Sequence, residues 1–299
     1  MKMRTSILMC GMLFSQMAWA NKYKDAARKL GGLDQVNVTI AIDFTGSNAP
    51  GYQINELYGS TLHSVDDPSS LNPYELALRS IFESVMPMDK DHKITMYGFG
   101  SGNTQDKRVF NIGQAAKVIR EHSAKGDFDA LENDFSSVTN VEQAIANYKT
   151  VVPEITLNGP TSFVPFLEEI QSEYAVAART GRRLGFTLAI ILTDGDITNS
   201  LAEANYRKFA EIAKTLPVAF IVIGVGEGGD ENFRDLEILD SGMKRYGAPD
   251  LVQAVVLKKY IKTKFPSGKF KSLEKDDFLN EAFKELPKQI DELKKLGRL

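Results

Sequence analysis

The residues best equipped for chemistry stand where an apolar run ends. Val38-Thr39-Ile40-Ala41-Ile42 stops at Asp43, and Thr45 and Ser47 follow at alternate positions. A carboxylate and two hydroxyls this close together are hard oxygen donors, which suit Mg²⁺, Mn²⁺ or Ca²⁺ and not a soft metal. The same trio also suits a plain turn whose side chains bond the backbone. A second carboxylate has the same setting much later, where the nearly all-apolar run Gly185 to Thr193 ends in Asp194-Gly195-Asp196. Between the two, Leu157-Asn158-Gly159-Pro160-Thr161-Ser162-Phe163 reads as a loop that opens directly into a helix. If the strand ends are neighbours and this loop closes the third side, Asp43, Thr45, Ser47, Thr161 and Asp194 form an all-oxygen octahedral site. Such a site recruits water and leaves room for an outside ligand.

Those residues need a frame, and the periodicity supplies one. Asn21 to Leu33 reads as a short leading helix stopped by Gly31-Gly32, and Val36 to Asp43 as the first strand. Pro50 to Ser70 has no periodicity and reads as a long surface loop on the side of Asp43. Asn72-Pro73-Tyr74-Glu75 starts a helix that runs to about Pro87, because Asn caps, Pro fits the first turn and Glu reaches back to the cap. Lys93 to Phe99 is the second strand, Lys107 to Ile112 an edge strand, and Val138 to Tyr148 a helix capped by Asn140, while Gly113 to Asn133 has only scattered helical character. A helix from the Thr161 loop to about Ala178 precedes the Gly185 to Thr193 strand, which is apolar enough to be buried on both faces. Helix Ala202 to Leu216, strand Pro217 to Val225, short helix Glu231 to Leu239, strand Leu251 to Leu257 and one amphipathic helix, Asp276 to Leu296, complete the chain. Strands alternating with helices predict an α/β fold, a doubly wound, mostly parallel sheet covered by helices on both faces. In such a sheet ligands bind outside the carboxyl ends of the strands, where strand order reverses.

Composition narrows the setting. The chain is 43% hydrophobic and 25% charged with a formal net charge of −3, an ordinary globular balance that argues against nucleic acid or an anionic membrane as the main partner. Residues 1–20 read as a secretory signal peptide: Lys2 and Arg4 precede an apolar stretch from Ile7 to Met17, and Ala18-Trp19-Ala20 supplies the small residues of a cleavage site. The one cysteine, Cys10, falls inside that leader, so a disulfide-free core must hold the rest. The expected organisation is a leader (1–20), a leading helix and linker (21–35) and one domain (36–296), in a periplasmic or secreted protein. No later stretch is long and apolar enough to anchor in a membrane.

The ordered set of motifs resembles a known family. Asp43-Phe44-Thr45-Gly46-Ser47, Gly159-Pro160-Thr161-Ser162-Phe163 and Leu192-Thr193-Asp194-Gly195 are similar to the three parts of the metal-ion-dependent adhesion site of von Willebrand factor A domains. Ala41-Ile42-Asp43-Phe44-Thr45, Gly98-Phe99-Gly100, Ile223-Gly224-Val225-Gly226, Asp250-Leu251-Val252-Gln253 and the ending with Leu286-Pro287 resemble the copine branch. The resemblance spans about Val36 to Leu296. It implies a Rossmann-like A domain whose Thr45, Ser47 and Thr161 hydroxyls contact a divalent cation, Mg²⁺ or alternatively Mn²⁺ or Ca²⁺, with Asp43 and Asp194 holding it directly or through waters. It further implies a non-enzymatic module that captures an exposed carboxylate of a protein partner at the open coordination position. Thr45 stands where many A domains have serine, which keeps the oxygen. The calcium-dependent lipid-binding modules that precede the A domain in copines have no counterpart in this sequence, so membrane recruitment by calcium is not implied.

Other readings compete. A metal-dependent phosphoester hydrolase would use the same oxygens, with Asp196 as a base, and an A domain with a purely structural site would use none of them for binding. His63, His92 and His122 have no metal-ligand spacing and read as surface residues, which argues against zinc. The glycines from Ile223 to Gly229 follow a late strand and lack the nucleotide fingerprint, so they read as turn glycines. Tyr52 and Tyr58 suit either a recognition rim or the packing of their own loop. The residues leave the partner, the cation chosen in the cell and the oligomeric state open.

Overall fold

The computed structural model describes residues 22–50, 61–66, 71–122, 137–195, 197–226, 233–263 and 271–299. Residues 1–20, Tyr52, Tyr58, Asp196 and Gly228-Gly229 lie outside the described residues. The main sheet has six strands, β1 (Val36–Asp43), β2 (Thr95–Phe99), β3 (Val109–Asn111), β4 (Phe186–Thr193), β5 (Val218–Gly224) and β6 (Val252–Val256), in the order β3-β2-β1-β4-β5-β6. Only β3 runs antiparallel, at the edge, as its mixed polarity suggests. Every residue of β4 and β5 is buried, which is why their sequences are nearly all apolar. The chain passes from β1 to β2 on one side and later returns through β4 on the other, so the order reverses between β1 and β4. Register pairs Ile42 with Leu192, which sets Asp43 and Asp194 at the carboxyl ends of adjacent strands.

Helices cover the sheet, and local chemistry fixes where they begin. α1 (22–31) buries Ala26 and Leu30. α2 (Pro73–Val85) starts on the expected capping box, with Asn72 Oδ1 accepting from Glu75 N at 2.9 Å and Glu75 Oε2 from Asn72 N at 3.1 Å. Lys149 of α4 (Val141–Val151) pairs with the buried Glu75 at 2.7 Å and ties the two helices together. α3 (Ile112–His122) gives regular form to the start of the stretch whose periodicity was scattered. α5 (Val164–Arg179) packs on β2, where the Tyr97 hydroxyl donates to Glu173 Oε1 at 2.8 Å. α6 (Ala202–Thr215) and α7 (Arg234–Gly242) follow β4 and β5.

Three expectations are corrected. The terminal helix is two helices, α8 (Lys275–Ala282) and α9 (Leu286–Lys295), because Pro287 has no N–H to give and its ring crowds the carbonyl of Phe283. Placed in the first turn of α9, the same proline costs nothing. A small hairpin, β7 (Ile261–Thr263) with β8 (Lys271–Leu273), follows β6, so β6 is not the last strand. Within the stretch from Pro50 to Ser70, residues 61–66 do not lie on the surface throughout, because Leu62 and His63 are buried.

Two glycines let the loops above β1 and β2 meet the loop before α5. Gly159 N donates to Gly100 O at 3.0 Å, and Gly159 O accepts from Gly46 N at 2.9 Å. A Cβ on Gly159 would stand 2.3 Å from Gly100 O, and one on Gly100, whose φ is +71°, would stand 2.1 Å from Thr45 Cγ2. Only bare backbone fits this close approach.

Gly159→Ala is expected to lose about 2 kcal/mol or more of stability through backbone overpacking; urea denaturation matching the unsubstituted protein would contradict the stitched arrangement. A second prediction concerns pH. Burial pushes the Glu173 carboxyl up to about 7, the Tyr97 hydroxyl opposes this, and the Glu169 carboxylate adds to it. The folded state therefore holds its proton more tightly than the unfolded chain does, and stability falls as pH rises from the ordinary carboxyl range to about 7. Glu173→Gln removes that slope and is expected to exceed the parent by about 2–3 kcal/mol at pH 8; parallel stability profiles of the two proteins would refute the assignment.

Candidate metal centre

Asp43 closes β1 with its side chain wholly buried, and five donors converge on its carboxylate. Thr193 Oγ1, from the paired position on β4, donates to Oδ2 at 2.5 Å. Thr45 N donates to Oδ1 at 2.8 Å, Asn48 Nδ2 reaches the same oxygen at 3.3 Å, and the Asp194 backbone N–H and the Thr45 hydroxyl add two more bonds. Among the described residues no Lys or Arg forms an ion pair with Asp43. Burial raises its carboxyl above the usual range in spite of the hydrogen bonds from Thr193 and Thr45, which pull the other way.

The hydroxyls lie beside this carboxylate. Thr161 Oγ1 donates to Thr45 Oγ1 at 3.2 Å, and Asn48 Nδ2 donates to the same oxygen at 3.3 Å. Thr45 Oγ1 also lies 2.9 Å from Ser47 Oγ, and the Thr45 side chain hydrogen-bonds the Asp43 carboxylate. Thr45, Thr161 and Asp194 are buried, whereas Ser47 is half-exposed and marks the side open to solvent. Thr161 is fixed by a reciprocal pair with Thr198, its N–H donating to Thr198 Oγ1 at 3.0 Å and its carbonyl accepting from Thr198 N at 3.1 Å. All five residues singled out in the sequence therefore belong to one end of the β1–β4 junction. Among the described residues no group of three or more His, Cys, Asp or Glu could hold a metal ion, so a cation here would depend on hydroxyl oxygens as well as the two carboxylates.

Three further residues belong to this centre. Asn48, which marked only a turn in the sequence, is buried and bridges Asp43 to the Tyr74 hydroxyl, which donates to Asn48 Oδ1 at 2.7 Å. Thr193, an apparent strand residue, orients Asp43. His63 is not on the surface: it stacks between Phe44 and Tyr74, with ring centroids 4.7 and 4.1 Å away. Its Nε2 lies 2.8 Å from Asp43 O and its Nδ1 lies 2.7 Å from the Tyr148 hydroxyl. Burial pushes the imidazole down to about 3, against the opposing pull of the Asp43 carbonyl, so the ring is neutral. No spacing in the sequence announces these contacts. The one available signal was an imidazole in an otherwise polar loop beside an apolar Leu62. His92 is exposed as expected.

Comparison with known proteins agrees with this architecture. The family model described as Copine matches residues 61–299, a span that includes Thr161 and Asp194 and starts after Ser47. The Arabidopsis thaliana E3 ubiquitin-protein ligase RGLG2 is 29% identical over 279 residues, 89% of this chain and 52% of that protein. Copine family protein 1 of Caenorhabditis elegans is 31% identical over 205 residues, 68% of this chain and 16% of that one. The chain thus spans about half, or much less, of the curated relatives it matches. Among solved structures, manganese-loaded Plasmodium vivax TRAP protein superimposes with a TM-score of 0.42 at 16% identity, over 76% of this chain and 70% of that one, a likeness too distant to carry an argument. By the extent of the family match and the α/β sheet that underlies it, the chain belongs to the copine family and has the fold of an A-type domain.

Proposed function

We propose that Asp43, Thr45, Ser47, Thr161 and Asp194 hold a divalent cation and that its open coordination position binds an acidic side chain of a protein partner. The observation that carries this reading is the spacing of the hydroxyl oxygens, 2.9 Å between Thr45 and Ser47 and 3.2 Å between Thr161 and Thr45, beside two buried carboxylates. Neighbouring ligands of an octahedral ion with bonds of about 2.1 Å stand roughly 3 Å apart, which fits Mg²⁺ or Mn²⁺ more closely than the larger Ca²⁺. The donor set is all hard oxygen, and among the described residues no cationic side chain forms an ion pair with Asp43. The three hydroxyls and the two aspartates are the groups that would hold the ion, which in turn would supply a Lewis-acid face for a carboxylate. The chain's own part is to keep these oxygens convergent and to leave the Ser47 side open.

The phosphoester-hydrolase alternative gains no support from His63, because both ring nitrogens are already engaged, one with a carbonyl and one with a phenol. We assign the cation site to the domain from 36 to 296. On the pattern of residues 1–20 its place of work is the periplasm or the exterior. Among the described residues no helix is long and apolar enough to cross a membrane.

Saturating Mg²⁺ or Mn²⁺ is expected to raise the melting temperature by several degrees, since binding at about 100 times Kd stabilises by about 2.7 kcal/mol. The shift should vanish in Asp194→Ala and shrink in Thr45→Val, which keeps the shape and removes the oxygen. On an array of peptides bearing Asp or Glu and their Asn or Gln counterparts, capture should require both the carboxylate and the cation and should cease in EDTA. Equal capture of the amide peptides, or capture unaffected by EDTA, would rule the proposal out.

A further inference from the structure

The strongest unassigned feature is a buried polar column beneath the cation loop. Its parts come from four segments: Asp43 on β1, His63 from residues 61–66, Tyr74 on α2 and Tyr148 on α4. All four are buried. A carbonyl oxygen can only accept, so the 2.8 Å contact between His63 and Asp43 O requires the proton on Nε2. A neutral ring then leaves Nδ1 bare, and the hydrogen at 2.7 Å must come from the Tyr148 hydroxyl. That phenol has one proton, which is now spent. Its 3.4 Å approach to Asn72 Oδ1 is therefore a polar contact only, and the Asn72 oxygen remains committed to capping α2 through Glu75 N at 2.9 Å.

We propose that His63 is a positioning residue for the cation site, holding the Asp43 peptide group and with it the loop from Phe44 to Asn48 in the geometry that makes the oxygens converge. This rests on the cation reading above. The Asp43 carbonyl is held from below by His63, while the Asp43 carboxylate is held by Thr45, Thr193 and Asn48, and Tyr74 anchors Asn48 at 2.7 Å. Tyr148 of α4 thus backs the carbonyl side of Asp43 through His63, and Tyr74 of α2 backs its carboxylate side through Asn48. The ring itself cannot slide, being stacked between Phe44 and Tyr74 at interplanar angles of 20° and 15°. His63 thereby adjoins both ends of the peptide it holds: its Nε2–H bonds the carbonyl of Asp43, and its face packs on the ring of Phe44, the next residue. Groups that hold a ligating residue without touching the ion commonly change metal affinity by about 10–100-fold.

The test compares Mn²⁺ titrations of the purified protein and three variants, with their unfolding midpoints measured in EDTA. His63→Phe keeps the stacked ring and removes both hydrogen bonds, and it is expected to weaken Mn²⁺ binding about 10–100-fold. His63→Gln returns an N–H donor close to the position of Nε2 and is expected to recover most of that loss. Tyr148→Phe, a gentler change, removes the donor to Nδ1 and should give an intermediate weakening even if His63→Phe proves too unstable to titrate. In the cation-free protein, long-range ¹H–¹⁵N correlation should show a neutral His63 with the proton on Nε2. Equal affinity for Mn²⁺ in the unsubstituted, His63→Phe and Tyr148→Phe proteins, or an Nδ1–H tautomer, overturns the positioning role alone. Loss in His63→Phe without recovery in His63→Gln overturns it too, by assigning the effect to packing. An unsubstituted protein that fails to bind Mn²⁺ overturns the cation reading and this role together.

Discussion

Two carboxylates taken out of water at neighbouring strand ends set the terms for everything around them. Removing such a group from solvent costs several kcal/mol, and each hydrogen bond to a charged group returns about 1.5–3 kcal/mol. Asp43 collects donors from Thr45, Thr193, Asn48 and the Asp194 backbone, yet its carboxyl still stands above the ordinary range, so burial outweighs the hydrogen bonds. An arrangement with this imbalance calls for a positive complement. Asp43 has none of its own among the described ion pairs, and the proposed divalent cation would be the complement that the nearby hydroxyls share.

The fold serves that constraint directly. Reversal of strand order between β1 and β4 brings Asp43 and Asp194 side by side. Gly100 and Gly159 allow the Thr161 loop to come close enough for its hydroxyl to touch Thr45. α2 and α4 contribute from beneath, through Tyr74 and Tyr148, so the helices that bury the sheet also hold the loop that carries the chemistry.

Much of this was readable from the chain, for reasons that are local. The strands β1, β4 and β5 declare themselves because burial on both faces demands unbroken apolar runs, and α2 declares its start because a capping box is a contact between near neighbours. The five candidate residues were proposed by type, by their places at two strand ends and in the loop between, and by family resemblance. Asn48, Thr193 and His63 were not found, because each acts through a partner on another segment and no periodicity encodes such a pair. His63 misled for a further reason: imidazole is ordinarily polar, and only a carbonyl above, a phenol beside and two aromatic faces make its burial tolerable. The split between α8 and α9 differs in kind. Pro287 was visible in the sequence, and the amphipathic stripe that runs past it on both sides masked the break.

Membership of the copine family accounts for the domain type, and the cation site above β1 and β4 is our proposal for what such a domain binds here. The most direct measurement is the anomalous scattering of Mn²⁺ in crystals of the protein grown or soaked at saturating concentration. The account predicts one peak bounded by Thr45 Oγ1, Ser47 Oγ and Thr161 Oγ1, on the side of the loop that faces solvent. Well-ordered density for these residues with no peak among them, or a peak held only by other side chains, would contradict it.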